Sequence, residues 1–252
     1  MEYISLPTTI EVQPSSADQH KADIIVSPCY PGYGTTLGNA LRRVLLSSLP
    51  GAAITAIKIK GVDHEFSAME HVKEDAVEII LNMKTIRLRL HSDEPVEITL
   101  EASGEKVVTA ADFKKNSQVE IVNPDVVIAT LTDKAAKIQI RAVVQHGRGY
   151  VPVESREGEN LEVGYIAIDS IYTPVRNVNY KTEHVRVGQM TNYDKLILTI
   201  TTDGTMSPAN AFQSSAQILV EQFQSLLQQP PVTDEQSVEQ EPSTPQESET
   251  DK

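Results

Sequence analysis

The chain has 252 residues, 40% of them hydrophobic, with six histidines, one cysteine and a net charge of −13 at neutral pH. That length allows one large or two ordinary domains with a substantial core. The absence of any run of eighteen apolar residues excludes a helical membrane span, and a lone Cys29 excludes an internal disulfide.

Met1-Glu2-Tyr3-Ile4-Ser5 has neither a basic region nor a signal-peptide core, so a cytoplasmic protein is expected. The charge is uneven: residues 230–252 carry seven acids and one lysine, hence −6, which leaves −7 for the rest. An acidic body without a basic stripe argues against strong autonomous binding to nucleic acid, whose affinity rests on neutralising phosphates.

Residues 3–12 and 20–27 alternate apolar and polar positions around a turn at Pro14-Ser15-Ser16 and read as two strands. Next comes Gly32-Tyr33-Gly34-Thr35-Thr36-Leu37-Gly38-Asn39-Ala40-Leu41-Arg42-Arg43-Val44-Leu45-Leu46-Ser47-Ser48-Leu49-Pro50-Gly51. The glycines open a loop, Thr35 or Thr36 is placed to cap a helix, and Pro50-Gly51 stops it. Leu37, Ala40, Leu41, Val44 and Leu45 form an apolar stripe, while Asn39, Arg43 and Ser47, four apart, stack on a polar face. Arg42 is turned about 100° from Arg43, so the two guanidiniums diverge.

Three readings compete for this stretch. It could be an amphipathic surface helix with solvated arginines. It could be a phosphate loop, since glycines between the apolar run at 22–26 and a helix resemble a dinucleotide turn. The spacing is G-x-G-x-x-x-G rather than G-x-G-x-x-G, and no Gly-Lys-Ser/Thr follows. Or it could be a protein-binding helix whose guanidinium captures a partner's carboxylates.

Ile54 to Lys60 alternates strictly and ends at Gly61, and a short helix is expected at 73–83. Residues 86–145 read as short strands at 86–90, 96–100, 126–131 and 137–144, the spacing of an antiparallel region rather than of βαβ units. More strands follow over 163–202. Asp203-Gly204 turns the chain, Ser207 caps a helix, and Pro208 takes its first position. That helix runs to about Gln228, where Pro230-Pro231 end it; the Glu, Gln, Ser, Thr and Pro beyond have little to bury and should be disordered. Its apolar positions Ala209, Phe212, Ala216, Leu219, Phe223 and Leu226 follow alternating steps of three and four, as in a heptad seam. On pattern alone, that stripe fits a partner helix or the chain's own sheet equally well.

Catalytic constellations are missing from the sequence. No Asp-x-Asp pair suited to two Mg²⁺ ions occurs, and the histidines lack close ligand spacing; His64 and His71, beside Glu65 and Glu70, give a weak metal signal. Asp93-Glu94 and Glu157-Gly158-Glu159 read as exposed turns, and Gly147-Arg148-Gly149 as a hairpin turn rather than a nucleic-acid motif. No cofactor is expected.

Thr36 to Ser48 closely resembles the signature helix of the RNA polymerase alpha subunit family of bacteria and plastids. The likeness continues through Val108-Thr109-Ala110-Ala111-Asp112, Gly147 to Pro152, Ser170 to Val175, and Asp203 to Pro208. The resemblance implies an α+β chain with a discontinuous α/β dimerisation domain (1–49 and 171–229), an inserted, mainly antiparallel β domain (50–170) and an acidic tail (230–252). It implies a non-catalytic subunit that homodimerises and assembles the β and β′ subunits of a DNA-directed RNA polymerase. Carried over by motif, Thr36, Gly38, Asn39, Arg42, Arg43 and Ser47 would meet the β subunit, and Lys84 the β′ subunit. Leu37, Leu41, Val44, Leu45, Phe212, Ala216, Leu219 and Phe223 would form the dimer interface. Family members usually continue into a C-terminal DNA-binding domain; this chain ends in the acidic tail, so direct DNA binding is not expected. The alternative is a small-ligand or nucleotide-binding α/β enzyme using the Gly32–Gly38 loop.

Overall fold

The computed structural model describes residues 4–62, 64–156 and 162–227. The expectations for the acidic tail and for Glu157-Gly158-Glu159 lie outside those residues. Two strands, β1 (Thr9–Pro14) and β2 (Lys21–Cys29), lead into helix α1 (Tyr33–Ser47) and strand β3 (Pro50–Ile59). Helix α2 (Ala76–Lys84) precedes β4 (Leu88–Leu90), β5 (Val96–Ser103), β6 (Lys106–Thr109), β7 (Val119–Ile121), β8 (Val127–Leu131) and β9 (Lys137–Arg148). The short strands β10 (Tyr150–Val151), β11 (Ile166–Ala167) and β12 (Ser170–Ile171) come before the long pair β13 (Val175–Val187) and β14 (Met190–Thr202), and helix α3 (Pro208–Leu227) follows. Among the described residues the strand pairings are antiparallel, and the class is α+β, as the sequence implies.

The chain packs around two separate hydrophobic clusters. One lies over the sheet β1-β2-β14-β13, where Ala22, Ile24 and Val26 alternate inward along β2 and face Leu196, Leu198 and Ile200 of β14. Helices α1 and α3 cover that face and touch each other. Leu41, Leu45, Leu49 and Ala211 complete the cluster.

The second cluster fills the interval from Ile54 to Ile168. Its sheet runs β5-β9-β3-β4-β7, with β11 added to β3, and α2 packs on β3 and β8. Asp75 starts α2 by accepting the Glu78 amide at 2.7 Å, and Lys84 ends it, a placement that suits the helix dipole at both ends. The motif Thr109 to Asp112 is a capping box on one short 3-10 turn. Two expectations change here. Strand β1 begins at Thr9 rather than residue 3. Gly147-Arg148-Gly149 is no hairpin: Gly147 and Arg148 end β9, with Gly147 pressed beneath the Tyr172 ring, and Gly149 (φ 64°) leads into β10.

Candidate subunit-interface surface

Helix α1 turns Gly34, Gly38, Leu41 and Leu45 inward. A Cβ on Gly38 would stand 2.6 Å from the Tyr180 ring and 2.9 Å from Leu196, and one on Gly34 would stand 2.9 Å from Asp194 and Thr182. The glycines thus let the helix lie directly on β13 and β14. Its mouth is capped from a distance. The Asp194 carboxylate, 6% exposed, accepts the amides of Gly32 (2.9 Å) and Gly34 (3.2 Å). An anion is stabilised there by the free N–H groups and the positive end of the helix dipole.

Two expectations are corrected by this arrangement. Thr35 and Thr36 do not cap the helix, because α1 begins two residues earlier, with Gly32 left-handed at its N-cap. Thr36 Oγ1 instead donates back to the Gly32 carbonyl. The phosphate-loop alternative fails as well, because the amides a phosphate would need already hold the chain's own Asp194.

The opposite side of α1 faces outward. Thr36, Asn39, Arg43 and Ser47 are all exposed, and their spacing aligns them along the helix. The Arg43 guanidinium makes no hydrogen bond or ion pair with any described residue. Ser47 Oγ donates to the Arg43 carbonyl at 2.8 Å. Arg42 diverges as its position requires: its Nε donates to the Val178 carbonyl at 3.1 Å, tying α1 to β13. Of the six residues assigned to the β subunit, Gly38 is corrected, since it is buried beneath Tyr180; Arg42 is partly engaged by its own sheet.

The residues assigned to a dimer separate into three groups. Leu41 and Leu45 are 6% and 0% exposed inside the chain's own core, so they have no surface left for a partner, and that assignment is corrected. Leu37, Val44, Phe212, Ala216 and Leu219 are half-buried, and all but Val44 pack against the same core. Phe223 is 60% exposed, and with Val220, Leu226 and Leu227 it forms an exposed apolar end of α3. One stripe therefore begins on its own sheet and ends in the open. Ser207 and Pro208 start α3 as expected, Ser207 Oγ accepting the Asn210 amide at 3.2 Å.

Lys84 sits on the second body, where its Nζ is 3.0 Å from Asp169. Asp169 also accepts the Val153 amide at 3.1 Å. The Lys84 hydrogen bond, then the Val153 amide, hold the Asp169 carboxyl below the usual carboxylate range although partial burial opposes this. Neither Asp169 nor Asp194 carried a local sequence signal. His64 hydrogen-bonds Ser67, and the described residues contain no group of three or more His, Cys, Asp or Glu suited to a metal ion. No helix among them is long and apolar enough to cross a membrane.

Residues 57–173 match the family described as "RNA polymerase Rpb3/RpoA insert domain". A "DNA-directed RNA polymerase subunit alpha" of Roseiflexus sp. (strain RS-1) is 53% identical over 201 residues, covering 80% of this chain and 62% of the relative's length. Proteins of the same name from Symbiobacterium thermophilum and Moorella thermoacetica are 47% and 48% identical. They cover 92% and 85% of this chain, and 73% and 70% of their own lengths. With its signature helix, its interrupted sheet and these relatives, the chain belongs to the RNA polymerase alpha subunit family.

Proposed function

We propose that this chain is a non-catalytic alpha subunit that dimerises and scaffolds the β and β′ subunits of a DNA-directed RNA polymerase in the bacterial cytosol. The exposed row Thr36, Asn39, Arg43 and Ser47 is the surface offered to the β subunit, and Arg43 is its centre. The observation that carries this reading is an exposed guanidinium, on a helix pinned from below by two close-packed glycines, that has no partner among the described residues. A rigid support holds the charge in place before a partner arrives, which reduces the entropy lost on binding.

The open end of α3, with the half-buried Leu37, Val44, Phe212, Ala216 and Leu219 beside it, is the dimer face. The face around Lys84 and Asp169 is offered to the β′ subunit. The partition into a dimerisation domain (1–49 and 171–229) and an insert (50–170) is supported by the two hydrophobic clusters, which divide near the same positions. No catalytic role is assigned to any residue, and no direct DNA contact.

Capture of the β subunit by wild-type chain and by Arg43→Ala tests the reading. The variant should keep its fold and its oligomeric state by light scattering while capturing less of the β subunit. Undiminished capture would contradict the assignment of Arg43, and an unfolded variant would make the residue structural.

A further inference from the structure

Between the two hydrophobic clusters lies a polar knot. Arg89 of β4, in the sheet of the second body, reaches the turn that joins β14 to α3 in the first. Its Nε donates to the Thr205 carbonyl at 2.7 Å and its Nη2 to the Gly204 carbonyl at 2.8 Å. Its Nη1 lies 3.2 Å from both oxygens of Glu120 on the neighbouring β7. Arg87, just before β4 and on the same side, places its Nε 3.8 Å from Asp203 Oδ2, an ion pair without a hydrogen bond, with side chains only 19% and 5% exposed. The other Asp203 oxygen accepts the Thr205 amide (2.9 Å) and hydroxyl (2.6 Å), which closes the turn that Arg89 grips.

We infer that Arg89, with the Arg87–Asp203 ion pair beside it, is an orientation lock, fixing the angle between the insert sheet and the α1–α3 body. Arginine suits this role because its planar fork meets two adjacent carbonyls in one direction only, whereas a flexible ammonium would hold them without fixing an angle. The turn continues directly into α3, so the lock sets how the insert stands relative to that helix. It also sets the spacing between the Arg43 face and the Lys84 face. The lock itself rests on the two clusters; its consequence for subunit capture rests on the function proposed above.

Spin labels at Val107→Cys and Met190→Cys, both exposed positions, one on each body, measure the angle directly in full-length chain diluted with unlabelled chain. Cys29 is buried and stays unlabelled. Wild-type chain should give one narrow distance distribution, Arg89→Lys a broader one, and Arg89→Ala the broadest. Amide exchange at Ile140 and Leu198, one in each core, should be unchanged throughout. An unchanged distribution in Arg89→Ala overturns the inference, as does collapse of protection at Ile140 or Leu198, which would make the arginine a core support. Loss of β capture at Arg43 with the distribution intact bears on the proposed function alone.

Discussion

Asp194 and Gly32 stand 162 residues apart in sequence and are joined by a 2.9 Å hydrogen bond from the Gly32 amide to the Asp194 carboxylate. The same oxygen takes the Gly34 amide, so one buried side chain of β14 closes the mouth of α1. Removing it leaves two helix-terminal amides without this acceptor, the Gly34 amide in a buried site, at a cost of about 1–3 kcal/mol. Asp194→Ala should therefore lower stability by that order, and Asp194→Asn, which keeps an acceptor, by less. Urea denaturation of the two variants checks the order.

Gly38→Ala has a sharper expectation. The added Cβ meets the Tyr180 ring and Leu196 at under 3 Å, so these side chains or the helix itself must shift. Overpacking of this kind costs about 1–3 kcal/mol. Thr36→Ala, on the exposed face of the same helix, should stay within about 0.5 kcal/mol of wild type. If the two variants melt together, α1 is not seated on the sheet as described.

Loss of a charge-assisted pair in a desolvated interface costs about 2–5 kcal/mol. Arg43→Ala should weaken β-subunit capture by that order and leave the melting temperature alone. Arg42→Ala should do the reverse in kind, weakening capture less and loosening α1 from β13 through its lost bond to Val178. Titrating β-subunit capture beside thermal melts separates the two.

The Lys84–Asp169 tie predicts a pH dependence. Asp169 has a lowered value when folded, so its contribution is fully present above the ordinary aspartate value of about 3.9 and is lost as pH falls through the folded value. As pH falls through that lowered value, the Val153 amide should lose its charged acceptor. The carboxyl resonance of Asp169 and the Val153 amide shift, followed together by NMR, should titrate at one midpoint below 3.9. A midpoint at or above the ordinary value would contradict the tie.

What could be read from the sequence was what local chemistry dictates. The polar row of α1 and the Ser207-Pro208 start of α3 both depend on neighbours within a few residues, and both stand as expected. The cap of α1 did not, because its acceptor comes from a strand near the other end of the chain. Periodicity also marked Leu41 and Leu45 as apolar without saying which apolar surface they meet. They meet their own sheet, because the two glycines bring it close enough to bury them. Residues 86–90 read as a strand, but the carbonyls that Arg89 grips lie 115 and 116 residues onward.

That division gives the proposed dimer its most direct test. Leu45→Ala, which empties a fully buried site, should destabilise the fold by about 2–5 kcal/mol. Phe223→Asp should leave the fold intact and separate the protomers, since its side chain is 60% exposed. Sedimentation equilibrium of the full chain at micromolar concentration decides the central claim. The wild type should run at twice the 27.7 kDa of one chain, and Phe223→Asp at the single-chain mass. A wild-type chain that sediments as a monomer would contradict the account.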